Sequence, residues 1–152
     1  MSTAHQRKVR LSLLNYATHK GFMTNHNTTI LIVEDDADIA ELMQLLLERE
    51  GYSVRIASDG LEALQQLRTE LEPDLILLDL MMPRMDGEQF LKRMRADHHT
   101  DIPVVILSGH VSAQAKAREL HAACCLMKPV ESNDLLQTVK QFALAHSHND
   151  AF

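Results

Sequence analysis

The chain has 152 residues, 45% of them hydrophobic and 24% charged, which fits one globular domain with a sizeable core and excludes two ordinary ones. No apolar stretch approaches the ~18 residues of a membrane span, and the basic N-terminus lacks the features of a signal peptide, so a cytoplasmic protein without a transmembrane segment is expected. The net charge of −6 is uneven: residues 1–27 hold four basic residues and no acid, leaving 11 basic and 21 acidic residues in 28–152, a body unsuited to nonspecific nucleic-acid binding.

Residues 1–27 read as a basic N-terminal extension, disordered or a short amphipathic helix through Val9, Leu13 and Tyr16. Met23 is a natural internal start. From Thr28 the chain alternates short β-branched or leucine-rich runs with helical periodicity. The first strand spans Thr28 to Val33. Ile39, Leu42, Met43, Leu46 and Leu47 then form an apolar helical stripe, stopped by Gly51. Ser53 to Ala57 is a second strand. Ser58 or Asp59 caps a helix with Leu61, Leu64 and Leu67 on one face. The third strand is Asp74 to Leu78, and a loop from Pro83 to Gly87 leads to a helix carrying Phe90, Leu91 and Met94.

Pro103 opens the fourth strand, Val104 to Leu107, which runs into Ser108. A helix from about Ser112 to His121 and a fifth strand from about Ala123 to Met127 follow. The last helix, capped near Ser132 or Asn133, presents Leu135, Leu136, Val139, Phe142 and Ala143. Cys124 and Cys125 are adjacent, so they cannot bridge each other, and they read as reduced thiols. The whole predicts an α/β fold, (βα)₅, with a doubly wound parallel five-stranded sheet. The domain is expected over 28–145, with 146–152 as a polar C-terminal tail.

Ligands of such sheets bind at the C-terminal ends of the strands. Four ends here carry polar groups: Glu34 and Asp35, then Asp79, then Ser108, then Lys128. Burying uncompensated carboxylates costs several kcal/mol each, so three acids in one cleft predict a hard divalent cation, Mg²⁺ or Mn²⁺, bound through oxygen. A lysine and a hydroxyl beside them suit a phosphoryl group. Asp79 is then the candidate nucleophile. Acids that merely favour helix N-termini would account for Asp36 or Asp38, but not for Ser108 and Lys128 at matching positions.

Residues 28–145 resemble a response-regulator receiver domain of two-component signalling. The resemblance is carried by Ile30 to Asp36, by Asp74 to Gly87 with Asp79 followed by Pro83, by Val104 to Gly109, and by Leu126 to Pro129. It implies a flavodoxin-like sheet of order 2-1-3-4-5. It also implies that Glu34, Asp35, Asp79 and the Met81 backbone carbonyl hold Mg²⁺. Asp79 would take a phosphoryl group from a histidine kinase or histidine phosphotransfer protein, with Ser108 and Lys128 binding that group and Ser108 reporting it. His110 and Met81 would line the path of the hydrolytic water and tune the phosphate's lifetime.

The chain departs from the family pattern at Cys125, where an aromatic residue usually swings inward on phosphorylation, and at Val130, where a phenylalanine is usual. Chemistry at Asp79 should survive this, while the display of the phosphorylated state must differ. With only seven residues after 145, the expected protein is a single-domain regulator acting on a downstream protein target or in a phosphorelay, with no direct nucleic-acid binding. It would not be an enzyme with a turnover substrate. The alternatives are a receiver-like adaptor that signals without phosphate and, more remotely, an Asp-nucleophile phosphohydrolase. The latter needs a second acid where Met81 stands.

Overall fold

A computed structural model describes residues 28–97, 99 and 101–149, the side chains of 144–149 excepted. The extension over 1–27 therefore lies outside the described residues. The elements are β1 (Thr29–Val33), α1 (Ala37–Arg49), β2 (Ser53–Ala57), α2 (Gly60–Thr69), β3 (Leu75–Asp79), α3 (Gly87–Ala96), β4 (Val104–Ser108), α4 (Ala113–Glu119), β5 (Cys124–Met127) and α5 (Ser132–Asn149). The last helix runs through the point where a polar tail is expected to begin.

The strands form one parallel sheet in the order β2-β1-β3-β4-β5. This is the doubly wound, flavodoxin-like order expected. Side chains alternate between its two faces. Leu31, Val33, Ile76, Leu78, Val104 and Ile106 face one core, with α2 and α3 contributing Leu64, Leu67, Phe90, Leu91 and Met94. Ile30, Ile32, Leu75, Leu77, Val105 and Leu107 face the other, against Met43 and Leu47 of α1 and Leu135, Val139 and Ala143 of α5. Strands β3 and β4 are buried throughout, which explains why they read as unbroken apolar runs.

The register decides where the polar ends fall. Val33 pairs with Leu78, Asp79 with Leu107, and Ser108 with Met127. Glu34, Asp79, Ser108 and Lys128 are thereby brought to one edge of the sheet without any long loop having to reach.

The starts of α1, α2 and α3 are set by side-chain caps. The Asp36 carboxylate accepts from the backbone N–H groups of Asp38 and Ile39, and Asp86 forms a reciprocal capping box with Gln89. The predicted stripe on α1 is corrected: Ile39 is 38% and Leu42 59% exposed, and the buried positions are Ala40, Met43 and Leu47. Ala40 lets the helix approach the sheet closely, and the larger apolar neighbours turn outward. Leu61 on α2 is likewise exposed, with Ala63 taking its place in the core. Helix α4 is shorter than predicted, and Ser112 before it makes no side-chain cap.

Candidate functional site

Glu34 follows β1 directly and is buried, as are Asp79 at the end of β3 and Ser108 at the end of β4, while Asp35 is exposed. One carboxylate oxygen from each of Glu34, Asp35 and Asp79 lies within 4.8 Å of the others. An all-oxygen set of this kind fits a hard divalent cation. Cys124 and Cys125, both free, are not among the grouped residues.

Lys128, from just beyond β5, supplies the countercharge. Its Nζ donates to both carboxylate oxygens of Glu34, at 3.2 and 3.0 Å, and stands 3.3 Å from Asp79 Oδ2. These contacts hold the ammonium protonated: burial works against the charge, but the Glu34 hydrogen bond and the two carboxylates outweigh it and raise its pKa. Glu34 moves the other way from an ordinary acid. Burial, opposed by the Lys128 hydrogen bond and reinforced by the Asp79 charge, pushes its pKa from 4.5 up to about 7.

The sign of the consequence follows from linkage. With a folded pKa above the unfolded one, Glu34's stabilising contribution is complete below about pH 4.5 and is lost as pH rises through about 7. Metal-free protein should therefore lose stability between pH 5 and 8 by an increment of about 2 kcal/mol that Glu34→Gln lacks. Urea midpoints of both proteins at the two pH values measure it, and parallel curves would refute it.

The loop after β3 orients the nucleophile candidate. The Met81 backbone N–H donates to Asp79 Oδ1 at 3.1 Å, fixing the rotation of that carboxylate. Gly87 N–H closes the loop onto Leu80 O at 3.1 Å. On the other side the His110 N–H donates to Ser108 Oγ at 3.2 Å, and the Lys128 N–H binds the Ser108 carbonyl at 2.9 Å. Met81, Ser108, His110 and Lys116 help line a cleft of about 400 Å³ that opens beside the acids. Cys125 is partly buried, packs against the α2–α3 core and has its thiol pKa raised by burial.

The structure thus gathers Glu34, Asp35, Asp79, Ser108, His110, Met81 and Lys128 at one end of the sheet, with Cys125 beneath them on β5. One partnership escapes sequence reading. Asp59, legible only as a helix cap, is buried and paired with Arg84 of the β3–α3 loop, and its pKa is lowered first by the Glu62 backbone N–H and then by Arg84.

Residues 30–140 match the response regulator receiver domain. The chain is 40% identical over 114 residues to RpaA of Synechocystis sp., a DNA-binding dual master transcriptional regulator, the match taking in 73% of this chain and 47% of that protein. It is 36% identical over 129 residues to the transcriptional regulatory protein ZraR of Escherichia coli K12, covering 84% of this chain and 29% of ZraR. The chain therefore spans about half the length, or less, of these curated relatives. Among solved structures it is similar to a CheY-like response regulator receiver domain protein from Methanospirillum hungatei, with a TM-score of 0.74, 28% identity, and coverage of 82% of this chain and 99% of that one. The sheet order, the acid cluster at its carboxyl edge and these matches lead to one conclusion: the chain belongs to the response regulator receiver domain family of two-component signalling.

Proposed function

We propose that this receiver accepts a phosphoryl group on Asp79 from a histidine kinase or histidine phosphotransfer protein, and signals through the protein surface that the phosphorylated form presents. The observation that carries the reading is the position of Lys128 Nζ, 3.0 Å from Glu34 and 3.3 Å from Asp79. That ammonium, within reach of two buried acids and with its backbone N–H on the Ser108 carbonyl, is a point charge able to turn toward a phosphoryl oxygen.

In the transfer, an Asp79 carboxylate oxygen attacks phosphorus while the bond from phosphorus to the donor's imidazole nitrogen breaks. The imidazole leaves neutral after taking up a proton. The Met81 N–H holds the carboxylate's rotation throughout. Lys128 turns from Glu34 toward one phosphoryl oxygen, and the Ser108 hydroxyl donates to another. Glu34, Asp35, Asp79 and the Met81 carbonyl would hold Mg²⁺ or Mn²⁺, which supplies charge neutralisation for the transferring group. The domain would catalyse only its own phosphorylation and dephosphorylation.

The acidic body supports a protein partner over direct contact with DNA. Among the described residues no helix is long and apolar enough to cross a membrane. The segment from Val111 to Ala143, which holds α4, β5 and much of α5, is the surface proposed to meet the downstream target. Because Cys125 lacks the bulk of an aromatic ring, an inward swing of a ring at this position cannot be what displays the phosphorylated state.

Two measurements test this reading. Incubation with acetyl phosphate and Mg²⁺ should give one phosphoryl adduct by intact-protein mass spectrometry, absent in chelator. No adduct from acetyl phosphate, a kinase or a phosphotransfer protein would overturn it. Metal alone should also stabilise the fold, by about 1.4 kcal/mol at ten times its dissociation constant, and at one fixed Mg²⁺ concentration more at pH 8 than at pH 6 because a protonated Glu34 is no ligand. A melting temperature indifferent to Mg²⁺ at both pH values would remove the metal from the site.

A further inference from the structure

The loop between β3 and α3 is fastened at a second place, away from the acids. Arg84, with its side chain 65% exposed, reaches inward to the Asp59 carboxylate, which is only 2% exposed. The other oxygen of Asp59 caps α2, accepting from the Glu62 N–H at 2.9 Å. The next residue of the loop, Met85, sits directly over the next residue of the helix: a Cβ on Gly60 would lie 2.8 Å from Met85 Cγ and 3.0 Å from Phe90 Cβ. Two consecutive loop residues are thus seated on two consecutive residues at the start of α2.

Arg84 also adopts φ 65°, a left-handed conformation that a residue bearing a side chain avoids unless its surroundings hold it there. Its ion pair differs from an ordinary surface bridge, whose worth is small, because one partner is buried and would be left uncompensated. The same loop begins with the Met81 N–H bound to Asp79 and closes through Gly87 onto Leu80. What fixes Arg84 therefore fixes the course of the backbone on which Met81 lies.

We propose that Arg84 is a positioning residue for the acceptor site: its ion pair with Asp59 braces the loop of residues 80–86 against α2 and so aims the Met81 backbone at Asp79. The proposal rests on the reading of Asp79 as the acceptor beside a divalent cation. Arg84 acts through the loop and takes no part in the transfer.

Three variants of the full chain, together with the Arg84→Gly/Asp59→Asn double variant, separate the contributions. Arg84→Gly removes the guanidinium and relieves the left-handed backbone. Asp59→Asn removes the charge and keeps a capping oxygen. Arg84→Lys keeps a charge without the planar fork. Mn²⁺ affinity, read by electron paramagnetic resonance with no phosphoryl donor present, is measured beside the melting temperature and the Mg²⁺ dependence of adduct formation from acetyl phosphate.

Arg84→Gly and Asp59→Asn should each weaken Mn²⁺ binding on the order of tenfold, as loss of groups that orient metal ligands does. The double variant should be no weaker than the weaker single, and Arg84→Lys should recover part of the loss. If Arg84→Gly melts too early to assay, Asp59→Asn carries the same comparison. Mn²⁺ affinities within about twofold of wild type, or losses that simply multiply in the double variant, would overturn the brace. A wild-type chain that binds Mn²⁺ but takes phosphate from no donor would instead overturn the acceptor reading, and the brace would still stand or fall on the metal affinities.

Discussion

Asp79→Asn, incubated with acetyl phosphate and Mg²⁺, is expected to gain no phosphoryl adduct under conditions that should label the wild type. The amide nitrogen and carbonyl oxygen of asparagine carry no anionic lone pair able to form the acyl phosphate, so the loss is complete rather than graded. The fold survives the change. The amide side chain would keep an oxygen for the Met81 N–H, and Lys128 retains Glu34 at 3.0 Å. Removing one of three clustered carboxylates also lessens their mutual repulsion in metal-free protein. The variant's melting temperature without metal is therefore expected to equal or exceed that of the wild type, and its response to Mg²⁺ to shrink. An adduct on Asp79→Asn at the wild-type level would move the acceptor to another residue.

Gly87→Ala is the substitution with the largest expected effect on the fold. A Cβ at residue 87 would lie 2.5 Å from the Asp79 carbonyl oxygen and 2.8 Å from Leu80 Cα. Both are backbone atoms, so no side chain can turn aside to make room. Either the start of α3 moves or the end of β3 does, and the Gly87 N–H bond to Leu80 O is strained in both cases. Overpacking of this kind costs about 2 kcal/mol, seen as a fall in melting temperature of roughly 6–12 °C for a domain of this size. Adduct formation should fall further than stability alone explains, since the displaced backbone carries Asp79 itself. A melting temperature within about 2 °C of wild type would show that the loop yields more easily than this geometry implies.

Much of this molecule was legible in its residues alone. Strands β3 and β4 lie inside the sheet with both faces covered, so burial writes them as continuous apolar runs. The gathering of the candidate site residues at one edge was legible for the same reason. Once the strands are ordered, the residue after each run is carried to a common edge, and Glu34 can meet Lys128 across 94 positions of sequence. Helix faces were less clear where apolar residues crowd. In α1, Leu45, Leu46 and Leu47 adjoin, and a pattern that weighs large side chains passes over Ala40, whose smallness is what the sheet requires. The pairing of Asp59 with Arg84 left no local trace. It depends on a left-handed turn at an arginine, and nothing in the neighbouring residues announces one.

The lodging of Lys128 between Glu34 and Asp79 has a consequence for how the pocket trades one cation for another. In the metal-free protein the ammonium is itself the resident cation, tethered and always at hand. A divalent ion would therefore compete for Glu34 and Asp79 with a rival that cannot diffuse away. That rivalry would weaken the ion's hold, and by reciprocity a bound ion would weaken the ammonium's hold on the two acids by the same free energy. A lysine that only strengthened the acid cluster would be a stabilising feature; one that shares its acids with a divalent ion would tie the pocket's readiness to the ion supply around it.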